Sequence, residues 1–240
     1  METKIIGKEK VKQFYQNFRV AEDYDRTRSG NVFGKIRSLM ETKAITNLTE
    51  LDGKRVLDLA MGTGRITKSL LKFNAQVFGV DASTEMLAVA KKNIKSKRLT
   101  IIKSNAFKLP FKNNYFDVIV CFRFIRHLNT NERKNIYAEI RRVLKKDGHL
   151  IFDACNILRH RNHETRSVYD KVYTLNELKT ELKNNKFDLM DVIGYFYGNE
   201  VLLRLNNKYC NKIVMKLDKL LQIPFLYHIA SMWVVKCKKL

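Results

Sequence analysis

The sequence predicts an α/β fold, a doubly wound and mostly parallel sheet with helices on both faces, and three stretches predict it. Val56, Leu57 and Leu59 form a short apolar run of the kind that makes a buried parallel strand. A turn with Gly62 and Gly64 follows at once, and from Arg65 the pattern becomes helical, with Ile66, Leu70 and Leu71 on one face. A second apolar run, Val77-Phe78-Gly79-Val80, ends in Asp81, and further runs at 99–103 and 115–122 alternate with helical patterns. Alternation of this kind builds a parallel sheet.

Strand, glycine turn and helix together bring backbone N–H groups and a helix N-terminus up to a ligand. Asp81, at the tip of the second strand, stands where a nucleoside ribose can be held by paired hydroxyl-to-carboxylate hydrogen bonds. Thr67 occupies the place of the third glycine of G-x-G-x-x-G. The turn therefore suits one nucleoside with no pyrophosphate to cradle, and a dinucleotide-dependent oxidoreductase is the weakest reading.

Val56-Leu57-Asp58-Leu59-Ala60-Met61-Gly62-Thr63-Gly64-Arg65 resembles motif I of the class I S-adenosylmethionine-dependent methyltransferases. Val80-Asp81-Ala82-Ser83, with Met86-Leu87 after it, resembles the second-strand motif, and Asn105 to Phe111 the "D-A-x-x-L-P-F" segment. Phe116-Asp117-Val118-Ile119 is similar to the fourth strand, and Arg142 to Leu150 to the "R-x-L-K-P-G-G" turn before the fifth. Ala60 replaces the first motif I glycine, Asn105 the usual Asp near the adenine, and Asp147 the proline of the turn.

The resemblance implies a Rossmann-like sheet of seven strands with S-adenosylmethionine as cofactor. It implies that Asp81 holds the ribose, that Ala60, Gly62 and Gly64 give the backbone close access, and that Asp58 orients the loop and the amino-acid end. Asn105, Ala106 and Phe107 would lie at the adenine, with Ala82, Met86 and Cys121 completing the cofactor set. A "Tyr-Asp" pair, Tyr24-Asp25, resembles the lid of the small-molecule and quinone-type branch, and Tyr24 is assigned to the cofactor.

Composition narrows the class. A chain of 240 residues with 45% hydrophobic residues and only two prolines suits a compact domain. We divide it into a helical cap or lid (1–50) and a methyltransferase domain (51–240) with a helical insertion at about 198–231. The first residues carry no apolar core of a signal peptide, and no apolar run is long enough for a membrane span, so a cytoplasmic protein is expected. Cys121, Cys155, Cys210 and Cys237 are scattered and read as reduced, buried thiols. His160 and His163 have only Glu164 nearby, so no metal is assigned. The net charge of +22 invites a polyanion, either nucleic acid or an anionic membrane surface, unless the lysines are merely solvated.

In chain order, Val11, Phe14, Tyr15 and Phe18 share a helical face, and a helix over 33–47 buries Phe33, Ile36, Leu39 and Met40. Ser83 caps a helix over 84–97. After the fourth strand, Arg123-Phe124-Ile125-Arg126-His127-Leu128 lies where ligands bind in an open α/β sheet. His127 is the residue there able to act as a general base near neutral pH, or else it packs in the turn that starts the next helix. Asn129 and Glu132 are spaced as a capping box for a helix to 144, with Lys145 and Lys146 at its end and Gly148 closing it. His149 to Ala154 is read as a strand, 156–170 as a basic loop over the acceptor site, 175–184 as a helix, and 187–197 and 232–237 as the last strands. Ile213, Val214, Leu217, Leu220 and Leu221 line one face of the inserted helix.

The activity expected is methyl transfer to a small-molecule or lipid-like acceptor. RNA is the alternative acceptor, although no Asn-Pro-Pro-Tyr-type motif follows the fourth strand. A noncatalytic nucleoside-binding partner subunit is the alternative outside catalysis.

Overall fold

The computed structural model describes residues 32–157, 170–196 and 226–240, with Ile213 and Lys216 besides. Helix α1 (Val32–Leu48) precedes β1 (Arg55–Leu59), α2 (Arg65–Leu70), β2 (Gln76–Asp81), α3 (Thr84–Asn93) and β3 (Leu99–Lys103). Then come β4 (Phe116–Cys121), a 3-10 turn (Ile125–His127), α4 (Thr130–Val143), β5 (Leu144–Asn156) and β6 (Val172–Tyr173). Helix α5 (Leu175–Asn184), β7 (Phe187–Tyr195), a 3-10 turn (Leu226–Ile229) and β8 (Met232–Lys239) complete the described elements.

The sheet order is β3-β2-β1-β4-β5-β8-β7, with β6 paired to β5. Strands β1 to β6 pair in parallel, and β8 runs antiparallel between β5 and β7. This is the doubly wound arrangement, with the order reversing between β1 and β4. Seven strands were expected; the short β6 makes an eighth, supplied by two residues that carry no strand pattern of their own.

Alternation along the strands sends side chains to opposite faces. Leu57, Leu59, Ile119, Cys121, Leu150, Phe152 and Ala154 join the core that α4 and α5 cover. Val56, Val118, Val120, Ile151 and Val234 join the core under α1 and α2. Asp58 and Asp153 share the parity of Val56 and Ile151, so two carboxylates enter the α1 side, both buried.

Several boundaries differ from expectation. Helix α3 stops at Asn93 because Ile94 is already extended, and α4 passes into β5 at Leu144 with no glycine cap. Gly148 lies within β5, where a Cβ would crowd Leu144 and the carbonyl of Asp117. The expected turn survives as the irregularity that lets Phe116 face Leu144 while Val118 faces His149. Leu39 is half exposed; α1 instead buries Ala44, Ile45, Leu48 and Glu41. Ser83 does cap α3, and Asn129 with Glu132 forms the full capping box of α4. Of the inserted helix only Ile213 and Lys216 are described, both helical, and Ile213 is half exposed rather than packed.

Candidate nucleoside site

At the C-terminal end of β1 the chain enters the left-handed region three times, at Ala60 (φ 59°), Gly62 (φ 56°) and Gly64 (φ 81°). The two glycines answer different demands. No atom lies within 4 Å of where a Cβ on Gly62 would stand, so this glycine borders open space. A Cβ on Gly64 would strike Ile94 and Met61, so that glycine lets α3 close against the loop. Ala60 is held at an angle that costs an L-residue about 1–2 kcal/mol. Ala60→Gly is expected to leave stability unchanged or raise it by up to about 1 kcal/mol in urea denaturation, against the usual loss for such a change.

Asp81 closes the loop from below. Its Oδ2 accepts from the Gly62 N–H at 2.8 Å and its Oδ1 from Ser83 N–H at 2.9 Å. Its carbonyl accepts from Ser104 N–H at 3.0 Å, tying in the loop after β3. Burial pushes the carboxyl above the usual range, opposed by these backbone N–H groups. An ionised carboxylate accepts about four hydrogen bonds, so two backbone donors leave capacity for a pair of ribose hydroxyls.

Asp58 is 2% exposed, and the Thr67 hydroxyl donates to its Oδ2 at 2.6 Å. The residue that breaks the dinucleotide fingerprint thus pins α2 to β1. Burial raises the Asp58 carboxyl to about 6 from 3.8, despite the Thr67 bond and nearby Arg65. A carboxyl raised in the folded state favours folding while protonated and loses that contribution as pH rises through the window. Between pH 4.5 and 6 the wild type is therefore expected to lose about 1.5 kcal/mol relative to Asp58→Asn, in paired urea titrations.

The loop after β3 forms the opposite wall. Asn105 is exposed, and its Oδ1 accepts from Phe107 N–H at 3.0 Å, so the oxygen meant for an adenine amine already serves the turn. Ala106 is half-buried beside it, and the Phe107 and Phe124 rings lie 6.4 Å apart, joining the loops after β3 and β4. Arg142 holds this wall to α4, donating to the carbonyls of Leu109 and Phe111 at 2.9 and 2.7 Å.

On the α1 side a buried ionic network runs across the strand ends. Glu41 of α1, fully buried, pairs with Arg65 and lies 3.9 Å from Arg123. Burial opposes its ionisation, but the guanidiniums of Arg65, Arg123 and Arg37 prevail and hold the carboxyl below its usual range. Asp153 accepts from the Arg123 N–H at 2.6 Å and from Arg126 Nη1 at 2.7 Å. Arg126 Nε in turn lies 3.2 Å from Asp170, whose carboxylate is 3.0 Å from His127 Nδ1. One chain of charges thus links α1, motif I, the turn after β4, β5 and the segment before β6.

Ala60, Gly62, Asp81 and Asn105 come together around one end of the sheet, with Ala82 exposed beside Asp81. Met86 and Cys121 are 2% and 0% exposed and offer a ligand no surface; Cys121 sits in the core, where burial pushes its thiol well up. Tyr24, Tyr15, His160, His163 and Cys210 lie outside the described residues. Glu41, Arg65, Asp153 and Asp170 were not singled out. Asp153 had a legible signal, an acid inside the apolar run Leu150-Ile151-Phe152, whereas Glu41 looked like a solvated helix position. Among the described residues no group of three or more His, Cys, Asp or Glu could hold a metal, and no helix is long and apolar enough to cross a membrane.

Residues 57–152 match the family model described as a methyltransferase domain. Over this stretch, which includes the glycine turn and Asp81, the chain is similar to methyltransferase domains. The demethylmenaquinone methyltransferase of Lactococcus lactis is 29% identical, over 71% of this chain and 66% of that protein. The Thermotoga maritima protein of the same name is 36% identical, over 55% and 57%. The chain therefore spans less than two thirds of the length of these two relatives. A solved methyltransferase of Thermotoga maritima superposes with TM-score 0.66 at 20% identity, covering 93% of this chain and 98% of that one, which shows the shared fold of the methyltransferase domain.

Proposed function

We propose that the protein transfers the methyl group of S-adenosylmethionine to a small, quinone-type or lipid-like acceptor. The observation that carries the cofactor assignment is the pairing of Asp81 with the Gly62 N–H beside open space, at the end of the sheet where ligands of doubly wound folds bind. In this reading Asp81 holds the ribose, Asn105, Ala106 and Phe107 flank the adenine, and the Asp58–Thr67 bond keeps the loop in place. When bound, the cofactor supplies an already activated methyl group. The chain's own task is to hold the nucleophile in line with it and exclude water, which can account for much of the barrier reduction.

The acceptor class rests on the two quinone-named relatives. A lipid-like quinone would be met at a membrane surface, and a net charge of +22 favours an anionic one. We place the protein in the cytoplasm, where its thiols stay reduced, with residues 1–50 as a lid and 51–240 as the catalytic domain. The test is incubation with S-adenosylmethionine bearing a deuterated methyl group and reduced demethylmenaquinone in detergent, followed by mass spectrometry. A product heavier by one labelled methyl is expected. No labelled quinone, together with labelled RNA in a parallel reaction, would replace this acceptor with RNA.

A further inference from the structure

We propose that the outer edge of β3, with the basic groove between it and the end of α3, takes an extended acidic segment of a partner protein as an added strand. The proposal does not depend on the methyl-transfer reading or on the acceptor.

Strand β3 (Leu99–Lys103) stands at one end of the sheet order and, among the described residues, pairs on one side only, with β2. In a parallel ladder alternate residues bond to the neighbouring strand, and those between them present N–H and C=O on the far side. The Val77 N–H donates to the Arg98 carbonyl at 2.8 Å, and the Ser104 N–H to the Asp81 carbonyl at 3.0 Å. Residues 98, 100, 102 and 104 therefore face β2, and Leu99, Ile101 and Lys103 turn their main-chain groups outward. The Leu99 N–H is taken by the Ser96 carbonyl at 3.3 Å. The N–H and C=O groups of Ile101 and Lys103 are left to meet another strand.

Beside this edge lies an open groove of about 660 Å³, with Ile94, Leu99 and Ile101 as its apolar floor and Lys91, Lys95 and Lys97 along its rim. Leu99 and Ile101 are half-buried, and the three lysines are exposed. Ile101 packs towards Leu87 and Ala90 of α3, so floor and helix form one wall of the groove. An edge strand next to such a groove can add a peptide as a further strand. The main-chain bonds then supply affinity, and the slots for alternate side chains supply specificity.

Charge names the partner. Between Glu85 and Asp117 the chain has no acidic residue and eight basic ones. Arg98 is engaged within the fold, its Nη2 donating to the Leu71 carbonyl at 3.0 Å, and Lys103 donates to the Thr84 hydroxyl at 2.6 Å. Lys91, Lys95 and Lys97 are the charges that line the groove. Lysines on an edge ordinarily ward off pairing. Here they oppose a second copy of this chain, which would bring the same lysines to the new ladder, but they attract a strand that carries carboxylates. An anionic bilayer would suit the lysines yet has no strand to offer the main chain. An acidic extended segment uses both features.

The test uses the full chain and a fluorescent, capped peptide alternating Glu and Val, with a peptide alternating Lys and Val as control. Fluorescence anisotropy is expected to give a Kd on the order of 10–100 μM for the acidic peptide and no binding of the basic one. Charge reversal at two exposed positions, Lys95→Glu with Lys97→Glu, should weaken binding at least about 10-fold. Ile101→Pro removes an outward N–H, which is where a strand tolerates proline, and should also weaken binding at least about 10-fold. Ile101→Val keeps that N–H and should bind as wild type does. Amide hydrogen exchange read by NMR should show Ile101 and Lys103 protected when the acidic peptide is bound, a readout that decides the matter even if Ile101→Pro fails to fold.

No binding of the acidic peptide at about 1 mM overturns the proposal. Binding that the lysine reversal or a folded Ile101→Pro leaves unchanged, or that leaves both amides unprotected, overturns it as well. Two further results would replace the partner. Binding to vesicles of phosphatidylserine and phosphatidylcholine that survives Ile101→Pro, with no peptide binding, assigns the face to a membrane. Protection of both amides in a concentration-dependent dimer without peptide assigns it to a second copy of this chain.

Discussion

Replacing Asp153 by Ala is expected to lower stability by about 3–5 kcal/mol, the usual cost of leaving one member of a buried ion pair without its partner. Asp153 has no exposed surface and accepts from both the Arg123 backbone and the Arg126 guanidinium. Arg126 is itself buried, and its pairing with Asp153 keeps it charged despite desolvation. Against a total of about 5–15 kcal/mol for an ordinary domain, such a loss removes a large part of the margin. Equilibrium urea unfolding measures it. The double variant Asp153→Ala with Arg126→Met should recover only part of the loss, since it removes the stranded guanidinium but leaves Asp170 without its Arg126 contact. A single variant within about 1 kcal/mol of wild type would mean that water reaches the pair.

Asp81→Ala is expected to weaken S-adenosylmethionine binding by at least about 100-fold, from the loss of two hydrogen bonds to a charged acceptor at about 1.5–3 kcal/mol each. The same carboxylate braces Gly62 and Ser83, so the substitution also loosens the loop that approaches the ligand. Asp81→Asn separates the two effects. It keeps one acceptor oxygen for the backbone but cannot accept at both positions, so its affinity should fall between those of wild type and Asp81→Ala. Both variants should fold, because Asp81 is a strand-end residue outside the apolar clusters.

The sheet was legible because each parallel strand is an apolar run closed by a turn signal, and Val56 to Leu59 and Phe116 to Cys121 appear nearly where the pattern puts them. The capping residues Ser83 and Asn129 were legible for a local reason, a side-chain oxygen placed three residues before the N–H it receives. Gly148 misled because a glycine after a helix resembles a cap, whereas here it relieves crowding against Leu144 within a strand. The short β6 had no pattern to read, being two residues recruited by pairing with β5.

The candidate site was legible only in part. Asp81, Gly62 and Asp58 announce themselves by position at strand ends and turns. Cys121, at the end of β4, and Met86, on α3, are both buried, a matter of side-chain direction that the sequence pattern does not encode. Glu41 and Asp170 could not be found by spacing, since each meets its partners across distant parts of the chain. Their role exists only once α1 and β6 are laid against the strand ends.

The central claim, a nucleoside site built on the β1 glycine turn and Asp81, is tested most directly by calorimetric titration of the protein with S-adenosylmethionine and S-adenosylhomocysteine. The prediction is one site per chain with a Kd on the order of 1–100 μM for both compounds, within the range common for enzyme substrates. Absence of heat and of any thermal stabilisation by either compound at 1 mM (about ten times the upper end of that range) would contradict the claim, leaving the fold without the cofactor its motifs imply.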